Sequence, residues 1–511
     1  MQFPEDDTIA AVSSPPGRGA IVCVRVSGKS AFAAVACLLE KDKSIESFSP
    51  RTLHLVWLVN KEGRRLDQAT LARYVAPNSY TGEDLIEIFC HGGKWVPALI
   101  IENLCQVGCR LAEPGEFTRR AFFNNKLDLL QAEAVEDIIA AESPASLQNA
   151  LHHLEGHFSE RMRQLRQRLL HTCALLELGL DFSEEDVEFA DRAQLRSELE
   201  GLEKEITFLL ASFQRGQALK DGWRVAIIGK PNVGKSSLMN MLLRQDRVIV
   251  SSIPGTTRDT VEDSFMLDGQ RFRLIDTAGI RTSHDEIEQQ GILRSRRAAE
   301  EAHIIIFVSD QSQPADHIDD AIVTECSRFA CIPGKVENAA NVIARRFLPK
   351  QSVSIQEIAS LKSARNDDYY LTSNEFNSSE LKIIIHVRNK SDLPKASNTV
   401  QLPFSVEAEL ETSAQTGAGI VELEKALCAV INTNGSDRSG EVVLTNLRHK
   451  QCLEKALAAL LCAKQSLNDN LSAEFVAADL REVIHQIGVL VGEVTTEDIL
   501  GEIFSHFCIG K

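Results

Sequence analysis

The octapeptide Gly229-Lys230-Pro231-Asn232-Val233-Gly234-Lys235-Ser236 constrains this chain more than any other stretch. It fits G-x-x-x-x-G-K-[ST]. The apolar run Arg224-Val225-Ala226-Ile227-Ile228 precedes it, and periodic apolar residues (Leu238, Met239, Met241, Leu242) follow it. A strand feeding a glycine-rich turn that opens a helix gathers backbone N–H groups and the positive helix end around a phosphate. Val233, Gly234, Lys235, Ser236 and Ser237 would then line the nucleotide phosphates, with Lys235 reaching the β/γ oxygens and the Ser236 hydroxyl ligating Mg2+. Further apolar runs at Phe272–Ile275, His303–Val308 and Leu381–Val387 alternate with helical stretches, which predicts an α/β domain with a mostly parallel sheet.

Three more motifs follow in order. In Asn389-Lys390-Ser391-Asp392 an aspartate can accept both N1–H and N2–H of guanine, a donor pair that adenine lacks. N-K-x-D alone is a common turn composition, but downstream of a phosphate loop and followed by Ser413-Ala414 it points to GTP. Asp276-Thr277-Ala278-Gly279 ends a strand, where Asp276 would hold Mg2+ through water and the Gly279 N–H would meet the γ-phosphate. Gly255-Thr256-Thr257-Arg258-Asp259 supplies the other Mg2+ hydroxyl, assigned to Thr257. Together these motifs resemble the G domain of translation-factor-like GTPases. Many such domains place a glutamine after D-T-A-G to orient the attacking water, but Ile280 stands there and has no polar atom. The water must be held otherwise, and Asp285-Glu286-Ile287-Glu288 offers carboxylates, each of which also reads as part of a solvated helix. Asn232 can give an oxygen to a monovalent cation near the β/γ bridge.

The balance of 55 Lys and Arg against 72 Asp and Glu gives a net charge of −17, which excludes a globally basic nucleic-acid binder. Any RNA must be met by a local patch or through a partner. The 12 cysteines include no C-x-x-C pair and read as reduced core thiols. With no basic-then-apolar leader and no apolar run near the ~20 residues of a membrane span, the expected setting is the cytoplasm.

Residues 1–122 alternate short apolar runs with Pro/Gly punctuation and read as mixed α/β. Residues 123–219 and 438–511 show helical periodicity and flank the α/β stretch 220–437. One helical domain in two halves around an inserted domain is the economical reading, and two separate bundles are the alternative. Residues from about 311 to 380 are polar and without clear period, and are expected to form an exposed insertion dispensable for hydrolysis.

The chain as a whole resembles the MnmE (TrmE) family of tRNA-modification GTPases. The resemblance rests on Pro15-Pro16-Gly17-Arg18-Gly19, Ser79-Tyr80-Thr81-Gly82-Glu83-Asp84, His91-Gly92-Gly93, Pro114-Gly115-Glu116-Phe117-Thr118, Asn125-Lys126-Leu127-Asp128-Leu129, the G motifs, and the terminal Phe507-Cys508-Ile509-Gly510-Lys511. It implies an N-terminal tetrahydrofolate-binding and dimerising domain, a split helical domain and an inserted G domain. It further implies K+ bound by Asn232, Ser251, Ile253 and Thr256, and Mg2+ by Ser236 and Thr257. Catalysis would fall to Lys235, Thr257 and Glu288, with Glu288 orienting the water and K+ standing where an arginine finger would. Arg25, Glu87, Lys126 and Lys511 match the folate positions, where basic groups suit a glutamate tail and a carboxylate suits the pterin amino–imino edge. Cys508 is either a reactive thiol or a packing residue.

The implied function is GTP hydrolysis in a complex that builds aminomethyl or carboxymethylaminomethyl groups on C5 of the tRNA wobble uridine (U34). The one-carbon unit would come from 5,10-methylenetetrahydrofolate, for which 5-formyltetrahydrofolate is an analogue, and the nitrogen from ammonium or glycine. Implied partners are a second copy of the chain, an FAD-dependent subunit of the MnmG (GidA) type, and tRNA. The competing reading is a ribosome-assembly or regulatory GTPase, for which tandem G domains or a KH module would be expected, and the sequence shows neither.

Overall fold

The computed structural model describes residues 7–41, 43–181, 192–245, 263–275, 297–329, 382–432, 443–469, 471–494, 496–505 and 507–511. By contacts the chain divides into two compact units, one made of Met1–Ala140, Ala150–Ala174 and Leu480–Lys511, the other of Ala141–Asn149 and Leu175–Asp479.

In the first unit, β1 (Ile9–Val12), β2 (Ile21–Ser27), β3 (Leu53–Val59), β4 (Arg65–Tyr74), β5 (Leu85–His91) and β6 (Arg110–Leu111) form a sheet ordered β3-β4-β5-β2-β1-β6. Every pair is antiparallel except β1 with β6. Alternation divides the strands: Val22, Val24 and Val26 bury with Ile86, Ile88 and Cys90 in one core, together with residues of α1 (Ala31–Ala36) and α2 (Trp95–Gln106), while Cys23, Arg25 and Glu87 point to the opposite face. Periodicity finds β2, β3 and β5. It misses β4, whose Arg65, Asp67 and Gln68 interrupt the apolar run, and the short β1 and β6. The helices α3 (Glu116–Phe123), α4 (Leu129–Ala140), α5 (Pro144–Leu154) and α6 (His157–Asp181) follow, with Pro144 at a first helical position, where its missing N–H costs nothing.

In the second unit, α7 (Arg192–Asp221) leads into β7 (Trp223–Ile228), α8 (Lys235–Gln245), β8 (Ser264–Leu267), β9 (Gln270–Leu274), β10 (Ile304–Asp310), α9 (His317–Ser327), β11 (Ile383–Asn389), β12 (Ala408–Glu411) and α10 (Ile420–Asn432). The sheet order is β12-β11-β10-β7-β9-β8, parallel throughout except for the β8/β9 hairpin. All of β10 is buried, as a central parallel strand covered on both faces must be. The helices α11 (Leu447–Asn468), α12 (Ala473–Val491) and α13 (Glu497–Ser505) complete the chain.

The helical segments before and after the inserted sheet pack on each other, so they are not two separate bundles. On α7, Gly216 sits so close to Leu444 that a Cβ would overlap its carbonyl oxygen, the Ser212 hydroxyl accepts the Leu444 N–H at 3.1 Å, and Glu203 pairs with Lys464 of α11. In the first unit, Leu129 and Ala132 of α4 bury against Leu500 and Phe504 of α13 and against Phe507. The fold is therefore an N-terminal α/β domain, a helical domain split by an insertion, and an inserted P-loop domain with a mostly parallel sheet.

Two expectations need correction. The polar stretch from about 311 does not begin as an exposed insertion, because α9 occupies 317–327 and buries Ile322, Val323 and Cys326, with Phe329, in the core. The mostly polar lead Gln311–Asp316 hid a helix whose Asp316–Asp319 capping box is closed by reciprocal bonds. Residues 330–380 of that stretch lie outside the described residues. The core-thiol reading holds for Cys90, Cys109, Cys173, Cys326 and Cys452, but Cys37, Cys105 and Cys508 are exposed. No helix among the described residues is long and apolar enough to cross a membrane.

Candidate functional site

The phosphate loop lies between β7 and α8, at the carboxyl end of the parallel sheet, where ligands of open α/β folds are held. Its backbone requires its glycines. Gly234 has φ +101° and a Cβ there would overlap the Asn389 carboxamide, while Gly229 (φ +155°) passes against the Val308 carbonyl. Asn232 adopts the left-handed region at φ 64°. Lys235 donates to the carbonyls of Gly229 at 2.8 Å and Lys230 at 2.7 Å. Burial, with no carboxylate partner among the described residues, pushes its pKa down to about 8, so the ammonium sits where an anion would restore it. The chemistry of the loop thus fits a phosphate. Ser236 and Ser237 are exposed at the helix start, and Val233 is buried.

The base-reading motif is built onto this loop. Asn389, 1% exposed, donates to the Val233 carbonyl at 2.7 Å and accepts from the Thr412 hydroxyl at 3.2 Å and the Ala414 N–H at 3.1 Å. One side chain therefore joins the phosphate loop to Ser413-Ala414. Asp392 accepts from the Ser413 hydroxyl at 2.5 Å. Lys390, at φ 64°, pairs with Asp310 at 2.7 Å, and that lysine, with the Ser312 hydroxyl and N–H, outweighs burial to hold the Asp310 carboxyl below its ordinary range.

Motif reading missed Asp310, Thr412 and a second anchor. Lys230, in the variable part of the loop, is buried and pairs at 2.8 Å with Asp319 on α9 and at 3.3 Å with Asp316, the N-cap of that helix. No sequence signal marks these partners, which lie 86 and 89 residues away. Ser251, Ile253, Thr256, Thr257, Asp276, Thr277, Ala278, Gly279 and Glu288 lie outside the described residues.

A second constellation sits on the open face of the N-terminal sheet. Arg25 and Glu87 are register partners on β2 and β5 and form a half-buried ion pair at 2.7 Å, so neither is an ordinary surface charge. Tyr74 donates to Glu87 at 3.3 Å, and the Arg25 guanidinium lies 5.2 Å from the Tyr80 ring centroid. The C-terminal tail returns to this spot. Ser13 and Arg25 donate to the Gly510 carbonyl at 3.0 and 3.4 Å, and the Phe117 N–H donates to the Lys511 carbonyl at 3.1 Å. Burial, and then the Arg25 charge, lower the Lys511 pKa, so a bound anionic group would favour its ammonium form. The Cys23 thiol nearby is pushed up to about 12 by burial and by Glu87, and stays protonated. Lys126 is exposed past the end of α3, its stem against Gly82, and its N–H donates to Ala121. Among the described residues no group of three His, Cys, Asp or Glu side chains could hold a metal.

Residues 8–126 match the family model described as GTP-binding protein TrmE N-terminus, and residues 129–508 match that of the MnmE helical domain. Three proteins named tRNA modification GTPase MnmE align along the whole length. That of Flavobacterium johnsoniae is 38% identical over 511 residues, covering 99% of both chains. That of Christiangramia forsetii is 39% identical over 517 residues, again 99% of both. That of Parabacteroides distasonis is 39% identical over 510 residues, 99% of this chain and 100% of its own. On these matches the chain belongs to the MnmE family of tRNA modification GTPases.

Proposed function

We propose that this chain hydrolyses GTP as a subunit of the complex that modifies C5 of the tRNA wobble uridine, adding aminomethyl or carboxymethylaminomethyl groups. The observation that carries the reading is the Asn389 bridge, which joins a phosphate loop to a guanine-type motif within a chain that matches named tRNA modification GTPases from end to end. Those relatives favour it over a ribosome-assembly role.

In this reading Lys235 leaves the Gly229 and Lys230 carbonyls for the β/γ oxygens, and Asp392 accepts from the guanine N1–H and N2–H. Ser236 and Thr257 hold Mg2+, Asn232, Ser251, Ile253 and Thr256 hold K+, and Glu288 orients the water that Ile280 cannot. The metal ions offset charge on the transferring phosphoryl group when bound. Arg25, Lys126 and Lys511 meet the carboxylates of a folate and Glu87 its pterin edge, and that folate supplies the one-carbon unit. The absence of a G-x-G-x-x-G after the early strands leaves the redox step to an FAD-dependent partner of the MnmG type. Pairing of two copies of the chain would complete the K+ site. Residues 1–122, 123–219, 220–437 and 438–511 remain the working domain limits.

The test is mass spectrometry of nucleosides from the tRNA of cells lacking the protein, restored with wild type or Glu288→Ala. Loss of C5-aminomethyl-type uridines that only wild type restores is the expected result. An unchanged profile would refute the tRNA assignment. With purified protein, Glu288→Ala should keep GTP affinity while turnover collapses, and replacing KCl by NaCl should slow hydrolysis sharply.

A further inference from the structure

The base-reading end of the inserted sheet contains a fully buried imidazole that no motif accounts for. His386, 0% exposed, lies on β11 three residues before Asn389. Its register partners are Phe307 on β10 and Glu409 on β12, and its ring stacks on Phe307 at 5.2 Å between centroids. Nδ1 lies 2.9 Å from Glu409 Oε1, and Nε2 lies 2.8 Å from the Oγ of Ser309, itself 3% exposed. A carboxylate only accepts, so Nδ1 carries the proton and donates to Glu409, and the neutral ring then accepts the Ser309 hydroxyl at Nε2. Arg388 holds the same Glu409 oxygen from the adjacent position.

Each strand that the imidazole touches ends in a different part of the base site. Ser309 on β10 precedes Asp310, the partner of Lys390. β11 continues into Asn389–Asp392. β12 continues into Thr412, Ser413 and Ala414, which hold Asn389 and Asp392. Backbone ladders fix the spacing of parallel strands, but side-chain cross-links at their ends restrict the sliding and splay that would separate Asp392 from Ser413.

We propose that His386 is a positioning residue for guanine recognition, its imidazole cross-linking the three strand ends that carry Asp310, Asn389–Asp392 and Ser413-Ala414. The inference rests on the reading that Asp392 accepts from guanine N1–H and N2–H. It predicts that breaking the relay costs base discrimination and leaves phosphate chemistry intact.

The experiment measures affinity of the full chain for GDP and for IDP, which lacks the 2-amino group, by displacement of a fluorescent guanine nucleotide, together with kcat and KM for GTP. Ser309→Ala and Glu409→Ala each remove one link, and His386→Phe removes both while keeping the ring. Glu409→Gln retains an acceptor for Nδ1–H and serves as the conservative control. The GDP-over-IDP preference should fall by about two- to tenfold in each single-link variant, the range expected for one buried hydrogen bond. KM for GTP should rise with kcat unchanged, and Glu409→Gln should behave as wild type. Equal losses for GDP and IDP, or no loss in folded variants, would overturn the positioning role. If His386→Phe fails to fold, the Ser309→Ala and Glu409→Ala ratios decide the matter. A wild-type chain without preference for GDP over IDP would refute the underlying reading of Asp392 and, with it, the relay.

Discussion

Nucleotide binding should take up a proton, and Lys235 sets how much. Among the described residues its ammonium donates to two carbonyls and meets no carboxylate, and burial lowers its pKa to about 8. At pH 7 about nine-tenths of the molecules then carry the charge, at pH 8 half, and at pH 9 about one-tenth. A bound phosphate returns the lysine to its fully protonated form, so uptake should be about 0.1 proton at pH 7, 0.5 at pH 8 and 0.9 at pH 9. Affinity for GDP should fall about tenfold from pH 7 to pH 9, or about 1.4 kcal/mol. Isothermal titration calorimetry in two buffers of different ionisation enthalpy at each pH reads the uptake directly. The sign follows from a lowered value: the free protein binds fewer protons than the complex, so alkaline pH weakens binding. The same depression means that the nucleotide-free chain, which binds fewer protons than the unfolded chain above pH 8, gains stability from this group as pH rises past that value. A flat uptake near zero from pH 7 to 9 would refute the burial argument for Lys235.

Asn389→Ala should cost more than a lost base contact, because it leaves the Val233 carbonyl and the Ala414 N–H without the partners they have at 2.7 and 3.1 Å. A loss of about 2–4 kcal/mol in the stability of the inserted domain is expected by urea unfolding, with guanine nucleotide binding lost alongside. Gly216→Ala would push a methyl into the Leu444 carbonyl and should lower the stability of the α7–α11 packing by about 1–3 kcal/mol, and an unchanged melting temperature would show that the contact relaxes freely. Deleting residues 330–380 should leave GTP hydrolysis intact, whereas a deletion beginning at 311 should unfold the domain, since α9 carries Ile322, Val323 and Cys326 of its core and the carboxylates that hold Lys230. Equal activity in both deletions would contradict the role given to α9.

Much of the machinery was legible in contiguous residues. The phosphate loop, the base motif and the strands β7, β10 and β11 declare themselves because glycine's freedom at φ > 0, the need of N–H groups to face an anion, and the burial of a central parallel strand all act over a few neighbouring residues. The same short-range logic failed where polar residues interrupt a structured element, as in β4, whose Arg65, Asp67 and Gln68 break the apolar alternation, and in α9, whose acidic lead is a cap and not a loop.

What tertiary structure alone decided is which distant side chains share an environment. Asn389 bonds to Val233 across 156 positions, Lys230 finds Asp319 across 89, and the Gly510 carbonyl comes within reach of Ser13 across 497. None of these pairings has a periodic or motif signature, because hydrogen bonds and desolvation depend on distance in space. A lysine that reads as one phosphate ligand in the sequence therefore acquires its titration behaviour, and a histidine in an apolar strand its relay, only when the sheet brings their partners within about 3 Å. Contiguous residue chemistry is enough to show that the chain can grip a phosphate and read a guanine. The packed fold decided how firmly those two acts are coupled, since burial sets both the cost of an unpaired charge and the strength of each bond that compensates it.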